Sequence, residues 1–174
     1  MAFAIIYDKA TGKIRRVVAG ISDKSELNLD LSQDAIITDR PPKTIGNDKK
    51  VVNGEIVDDD DMMLIYAKEA KKSEIENEYE RRLGEPFEYN GHLFHGDKKS
   101  RDILTEVITA ATPDFTTRWR DINKQWLDVT LDDLKAMSNI LLIRGQQLYM
   151  TKADLKSQVD AATTIDEVNQ IKWE

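Results

Sequence analysis

Phe87-Glu88-Tyr89-Asn90-Gly91-His92-Leu93-Phe94 decides how the second half of this 174-residue chain is read. Asn-Gly accepts the positive φ angles of a two-residue turn, so the stretch predicts a tight hairpin setting Tyr89 opposite His92 and Phe87 opposite Phe94. Further along, Trp119 and Trp126 take corresponding places around a turn expected at Ile122-Asn123. A helical pattern comes after each hairpin. Asp97 is placed to cap a helix whose apolar face is Ile103, Leu104, Val107, Ile108 and Ala111, ending before Pro113. Thr130 with Asp133 opens a second, with apolar positions Leu131, Leu134, Met137, Leu141, Leu148, Leu155 and Val159, and with Gly145 as a point of bending or interruption. Thr164 with Glu167 is a capping box opening a short last helix, which Trp173 is expected to anchor. Duplication and coincidence account equally well for the two hairpin–helix units.

Working back toward the N-terminus, Gly84-Glu85-Pro86 stops a helix over 62–83 that contains neither glycine nor proline. Its later turns carry only Ile75, Tyr79 and Leu83 as a narrow apolar stripe, so residues 58–86 read as a charged helical bridge. The first 57 residues read as a small β-rich module. Phe3-Ala4-Ile5-Ile6-Tyr7 and 13–19 flank a loop with Gly12 in a left-handed position. Ala35-Ile36-Ile37-Thr38 is a strand ended by Pro41-Pro42, and Val51 to Val57 form a hairpin on Asn53-Gly54. The expected fold class is α+β in three parts: 1–57, 58–86 and a hairpin-plus-helix domain over 87–174. Short strands with unpaired edges suggest that the 1–57 module gains order from a neighbouring chain.

The chain carries 25 Lys and Arg against 32 Asp and Glu, a net charge of −7. The balance is +1 over 1–57, −4 over 58–84 and −4 over 85–174. Such a balance argues against phosphate-backbone binding, so no nucleic-acid partner is expected. With no cysteine, disulfides, thiolate nucleophiles and Cys-ligated metals are excluded. The apolar start, Met1 to Tyr7, has no basic n-region and reads as a strand rather than a signal peptide. No apolar run approaches the ~20 residues of a membrane span, so no membrane insertion is expected and the chain reads as made in a cytoplasm.

Candidate chemistry is sparse. His92 and His95, with Asp97 nearby, are the only histidine pair and could suggest zinc or iron. Three residues apart on a strand, however, the two rings point to opposite faces, and no third histidine completes a site. The reading preferred is His92 stacked beside Tyr89 and His95 at a strand end. Asp58-Asp59-Asp60-Asp61 lacks the alternation and glycine of a calcium loop and suits a helix start. Arg118, Trp119, Arg120, Lys124 and Trp126 resemble a basic, aromatic patch for nucleic acid or sugar. Cross-strand packing of the two tryptophans is the reading preferred. No catalytic, cofactor-binding or metal residue is assigned, no cofactor is expected, and the chain is read as a non-enzyme.

The order Phe87, Tyr89-Asn90-Gly91, Phe94, Asp97, Ser100, Ile103, Ala110-Ala111, Trp119, Asn123, Trp126, Thr130 and Leu134 carries more. Together with the closing Ala161-Ala162-Thr163-Thr164-Ile165-Asp166-Glu167-Val168 and Ile171-Lys172-Trp173, it resembles a C-terminal domain of unknown function common in tailed-phage proteins. The resemblance covers about residues 87–174. It implies a protein associated with tail fibres or their assembly: a structural adaptor or accessory component of the virion tail, present in multiple copies and bound to other tail or tail-fibre proteins. An intracellular tail-fibre assembly chaperone is the alternative, and a polysaccharide-acting enzyme a more distant one. No catalytic residue comes with the resemblance.

Overall fold

The computed structural model describes residues 2–39, 46 and 48–173. The Pro41-Pro42 strand end lies outside the described residues. The fold is α+β, and the chain divides into two compact units, 1–67 and 68–174.

In the first unit, β1 (Phe3–Asp8), β2 (Ile14–Ala19) and β3 (Gln33–Thr38) form an antiparallel sheet in the order β2-β1-β3. Ile5 sits opposite both Val17 and Ile36. Ala4, Ile5 and Ile6 are all fully buried, so the central strand is covered on both faces and reads as a continuous apolar run. The β1–β2 loop turns at Gly12, φ +73°, as its sequence predicts. The position also permits a close approach: the Val51 amide donates to Gly12 O at 2.8 Å, and a Cβ on Gly12 would lie 2.2 Å from Val51 O. The strands β4 (Lys49–Val52) and β5 (Glu55–Asp58) form the expected hairpin, with Asn53 and Gly54 both at positive φ. The acidic run is divided in its roles. Asp58 pairs with Lys49 and Asp59 with Lys50, while Asp60 and Asp61 occupy the first turn of α1 (Asp60–Leu83).

The stretch read as a bridge does not stand free in the second unit. From Lys68 onward α1 is packed there, and Ile75 is buried with Leu155, Val159 and Ile171. Narrow as it is, the apolar stripe suffices because a long helix packs along it. That helix is α3 (Leu131–Ala161), which runs 31 residues without a break at Gly145. Its C-terminal half packs the Ile75 cluster, against which Trp173 also rests. The N-terminal half covers a second cluster: Phe87, Phe94, Leu104, Val129, Leu134, Met137 and Leu141. These come from the hairpin β6 (Phe87–Tyr89) with β7 (His92–Phe94), from α2 (Lys98–Ala110), and from the hairpin β8 (Thr116–Arg120) with β9 (Trp126–Thr130). The short α4 (Ile165–Gln170) closes the unit, with Val168 buried.

Caps form where the sequence places them. Asp97 accepts from the Ser100 amide at the start of α2, and capping boxes open α3 at Thr130 and α4 at Thr164. The α2 face is narrower than its pattern suggests: Leu104 is buried and Val107 and Ile108 pack, but Ile103 is exposed. Electrostatic ties join α1 to α3. Lys152 and Lys156 both reach Glu76, and Lys72 pairs with Asp160. Among the described residues no helix is long and apolar enough to cross a membrane.

Candidate functional site

The first hairpin has the register its Asn-Gly turn dictates, with Tyr89 opposite His92 and Phe87 opposite Phe94. Asn90 and Gly91 take φ values of 50° and 77°. The second hairpin departs from its expected register. Trp119 faces Leu127, and it is Arg120 that faces Trp126. The connection is the odd-length loop 121–125, with Lys124 rather than Ile122 or Asn123 at positive φ (68°). A one-residue change of register exchanges the faces of a strand. Trp119 therefore packs on the core, while Trp126 stands 55 % exposed on the opposite face. Cross-strand packing of the two tryptophans does not occur.

The cause of the shift is Asp121. Its side chain is buried and accepts from the Gln125 amide at 2.8 Å, and its backbone N–H donates to Gln125 O at 3.0 Å. His92 Nδ1 lies 3.3 Å from its other carboxylate oxygen. Burial alone would push the Asp121 carboxyl up, but the bonds from the Gln125 amide, His92 and the Asn123 amide together hold it below the usual carboxylate range. The Ile122 amide also donates to Leu93 O at 2.9 Å, tying the two hairpins together. His92 is thus a structural partner of Asp121, and His95 is exposed just beyond β7. Among the described residues no group of three or more His, Asp or Glu side chains could hold a metal ion.

The outward face of β8–β9 carries Arg118, Arg120, Trp126 and Asp128, all exposed. The Arg118 and Arg120 guanidinium carbons lie 5.5 and 5.7 Å from the Trp126 ring centre. Among the described residues neither guanidinium forms an ion pair. Two cations with open hydrogen-bond donors flank an exposed indole. This arrangement can take an anionic group together with a flat or apolar one.

Another surface lies along α3. A cavity of about 440 Å³ opens between α1, α2 and α3, lined by Tyr79, Leu83, Leu104, Leu141, Leu142 and Tyr149 among others. Beside it, Leu142, Ile143, Tyr149 and Met150 are exposed. The pattern that found the buried face of α3 passed over these residues, because it followed only one stripe.

The second unit is an α+β scaffold in which two hairpins, α1 from Lys68 onward and two short helices are built around one long helix, presenting an Arg–Trp–Arg face and an apolar helix face. Residues 66–172 match the family described as Domain of unknown function (DUF4376), and the chain belongs to that family. The match begins close to the division between the two units and includes most of α1, which the resemblance over 87–174 left out. No curated protein and no solved structure matches the chain.

Proposed function

We propose that the protein is a structural component of a tailed-phage particle, an adaptor or accessory part of the tail or tail fibre that works by binding other proteins rather than by turnover. It is made in the host cytoplasm and carried in the virion tail, in more than one copy, against other tail or tail-fibre proteins. The resemblance of residues 87–174 to a phage-associated domain motivates the setting. The observation that carries the binding role is Trp126, exposed between Arg118 and Arg120, which form no ion pair among the described residues.

Tryptophan and arginine are the residue types that dominate the energetics of protein interfaces. In a chain of net charge −7, two adjacent guanidiniums that form no ion pair among the described residues suit an acidic surface on a partner. The partner this face fits is a protein carrying carboxylates beside an apolar or aromatic side chain.

Mass spectrometry of purified particles tests the setting: the chain is expected among the tail proteins. Its absence there, with retention on the fibre protein in infected-cell lysate, would replace the virion role by the assembly-chaperone one. Recovery of neither association would sink both. The triple change Arg118→Glu, Arg120→Glu, Trp126→Ala should abolish capture of the partner while leaving the fold intact.

A further inference from the structure

The middle of α3 is unlike the rest of the chain. One third of all residues are charged, yet between Ala136 and Thr151 the only charged side chain is Arg144. Arg144 is turned inward: Nη2 donates to Leu83 O and Glu85 O at 3.0 and 2.8 Å, and Nη1 to Pro86 O at 3.2 Å. Away from those carbonyls stand Leu142 and Tyr149, at the mouth of the cavity between α1, α2 and α3, and beside them Ile143 and Met150, at 59, 59, 47 and 66 % exposure. The Lys152 ammonium lies 5.4 Å from the Tyr149 ring centre. Leu142 and Tyr149 are seven apart, as are Ile143 and Met150. At 3.6 residues per turn, a seven-residue step returns to within about 20° of the same direction. The four side chains therefore form two adjacent rows, with Asn139, Gln146 and Ala153 between or beside them. This is the spacing with which one helix meets another.

We infer that this face is a self-association surface, on which α3 of a second copy lies antiparallel about a two-fold axis near Gln146. Charge selects the occupant. Two chains of net charge −7 repel, and the least costly approach is through a segment in which neither presents a charge. An isologous contact also requires a patch complementary to itself, which an uncharged apolar row with central glutamine amides satisfies. Antiparallel pairing about Gln146 sets position 135 opposite position 157. Lys135 of one copy, which pairs with Asp132 of its own chain at 3.4 Å, then lies beside the turn that carries Asp154 of the other, and Asp154 forms no ion pair in the single chain among the described residues. The parallel arrangement would place Lys135 on Lys135 and Asp154 on Asp154.

Area is consistent with this. The four exposed apolar side chains offer roughly 450 Å², the size of a functional patch. A standard interface buries about 800 Å² per partner. Asn139, Gln146, Gln147 and Ala153, exposed on or beside the same face, extend the contact toward that size. The surface stands apart from the Trp126 face and does not depend on what that face binds.

Sedimentation equilibrium on the full chain is the first test. A mass near twice 19.9 kDa is expected in the micromolar range, and a mass near 19.9 kDa for the double variant Leu142→Glu, Met150→Glu. A monomeric wild type, or a dimer that persists in a folded double variant, would overturn the proposal. A second test leaves the apolar face intact. The chain has no cysteine, so Gln146→Cys introduces a single thiol at the proposed axis and Ser157→Cys a single thiol far from it. Under mild oxidation the first should form a cross-linked dimer and the second should not. Cross-linking of both alike, or of neither, rules out the antiparallel pairing.

Discussion

Arg144 shows how one side chain holds several elements in place. Its guanidinium meets the carbonyls of Leu83, Glu85 and Pro86, where α1 ends and would otherwise leave acceptors unmet. Gly96 allows the approach: a Cβ there would stand 2.1 Å from Glu85 O and 2.6 Å from Arg144 Nη2. Burial lowers the affinity of Arg144 for its proton, though not enough to discharge a guanidinium. Arg144→Met should lower the stability of the second unit by about 2 kcal/mol or more, through three lost charge-assisted bonds. Arg144→Lys should recover only part, since an ammonium cannot span the same fork. Urea denaturation of the three proteins measures both. Trp126 should behave in the opposite way. More than half exposed and flanked by two guanidiniums, it should cost about 1 kcal/mol or less when changed to alanine. Phe94→Ala in the core should cost about 3–5 kcal/mol. A loss for Trp126→Ala as large as that for Phe94→Ala would return the indole to the core and remove the binding argument built on it.

At the level of elements, the caps and the Asn-Gly hairpins were legible because they depend on a few adjacent residues. Asp97, Thr130 and Thr164 each open the helix their spacing predicts, and Asn90-Gly91 sets its own register. The β8–β9 register was not legible, because it depends on Asp121 being buried against the other hairpin, a contact distant in sequence. Gly145 misled for the reverse reason. A glycine alone suggests a break, but α3 is held on both sides of it by buried clusters and stays continuous. A Cβ on Gly145 would meet Leu83 Cδ1 at 3.6 Å, ordinary contact, so Gly145→Ala should raise stability by about 1 kcal/mol. A higher denaturation midpoint with an unchanged slope would bear this out. Paired carboxyls, two of them in α1–α3 ties and one within α1, contribute to the unit's acid response. Lys156 and Lys152 hydrogen-bond Glu76, Arg81 and Arg82 hold Glu78 down to about 2, and Lys72 lowers Asp160. All three carboxyls are depressed in the folded state. Their stabilisation is fully present above the ordinary carboxyl range and is lost as pH falls from about 5 toward 2. Glu76→Gln should flatten that profile between pH 5 and 3 in a titration of unfolding free energy. A profile identical to the wild type would mean that solvent already screens the pair.

For the whole molecule, the sequence pattern and the packing draw different boundaries. Pattern alone separates a charged helix from the hairpins and helices C-terminal to it, because 68–83 has almost no apolar surface to suggest a partner. Packing assigns those residues to the second unit, since Ile75 completes the cluster of Leu155, Val159 and Ile171 and is 2 % exposed. The family match, beginning at residue 66, agrees with the packing. Two fragments distinguish the descriptions. A chain of 68–174 retains both hydrophobic clusters and the Arg144 contacts, and should unfold in one cooperative transition. A chain of 87–174 loses Ile75, Glu76 and the α1 carboxyl end. It leaves Val159, fully buried in the intact chain, facing water, and strands the Arg144 guanidinium without the Leu83, Glu85 and Pro86 carbonyls. Removing a large buried aliphatic group alone costs about 2–5 kcal/mol, a large share of the total stability of a domain this size. The shorter fragment should therefore show a loosened C-terminal half of α3, with fast amide exchange from about residue 148 onward, while the half of α3 over the two hairpins keeps its protection. Equal protection along α3 in both fragments would make α1 a bridge after all.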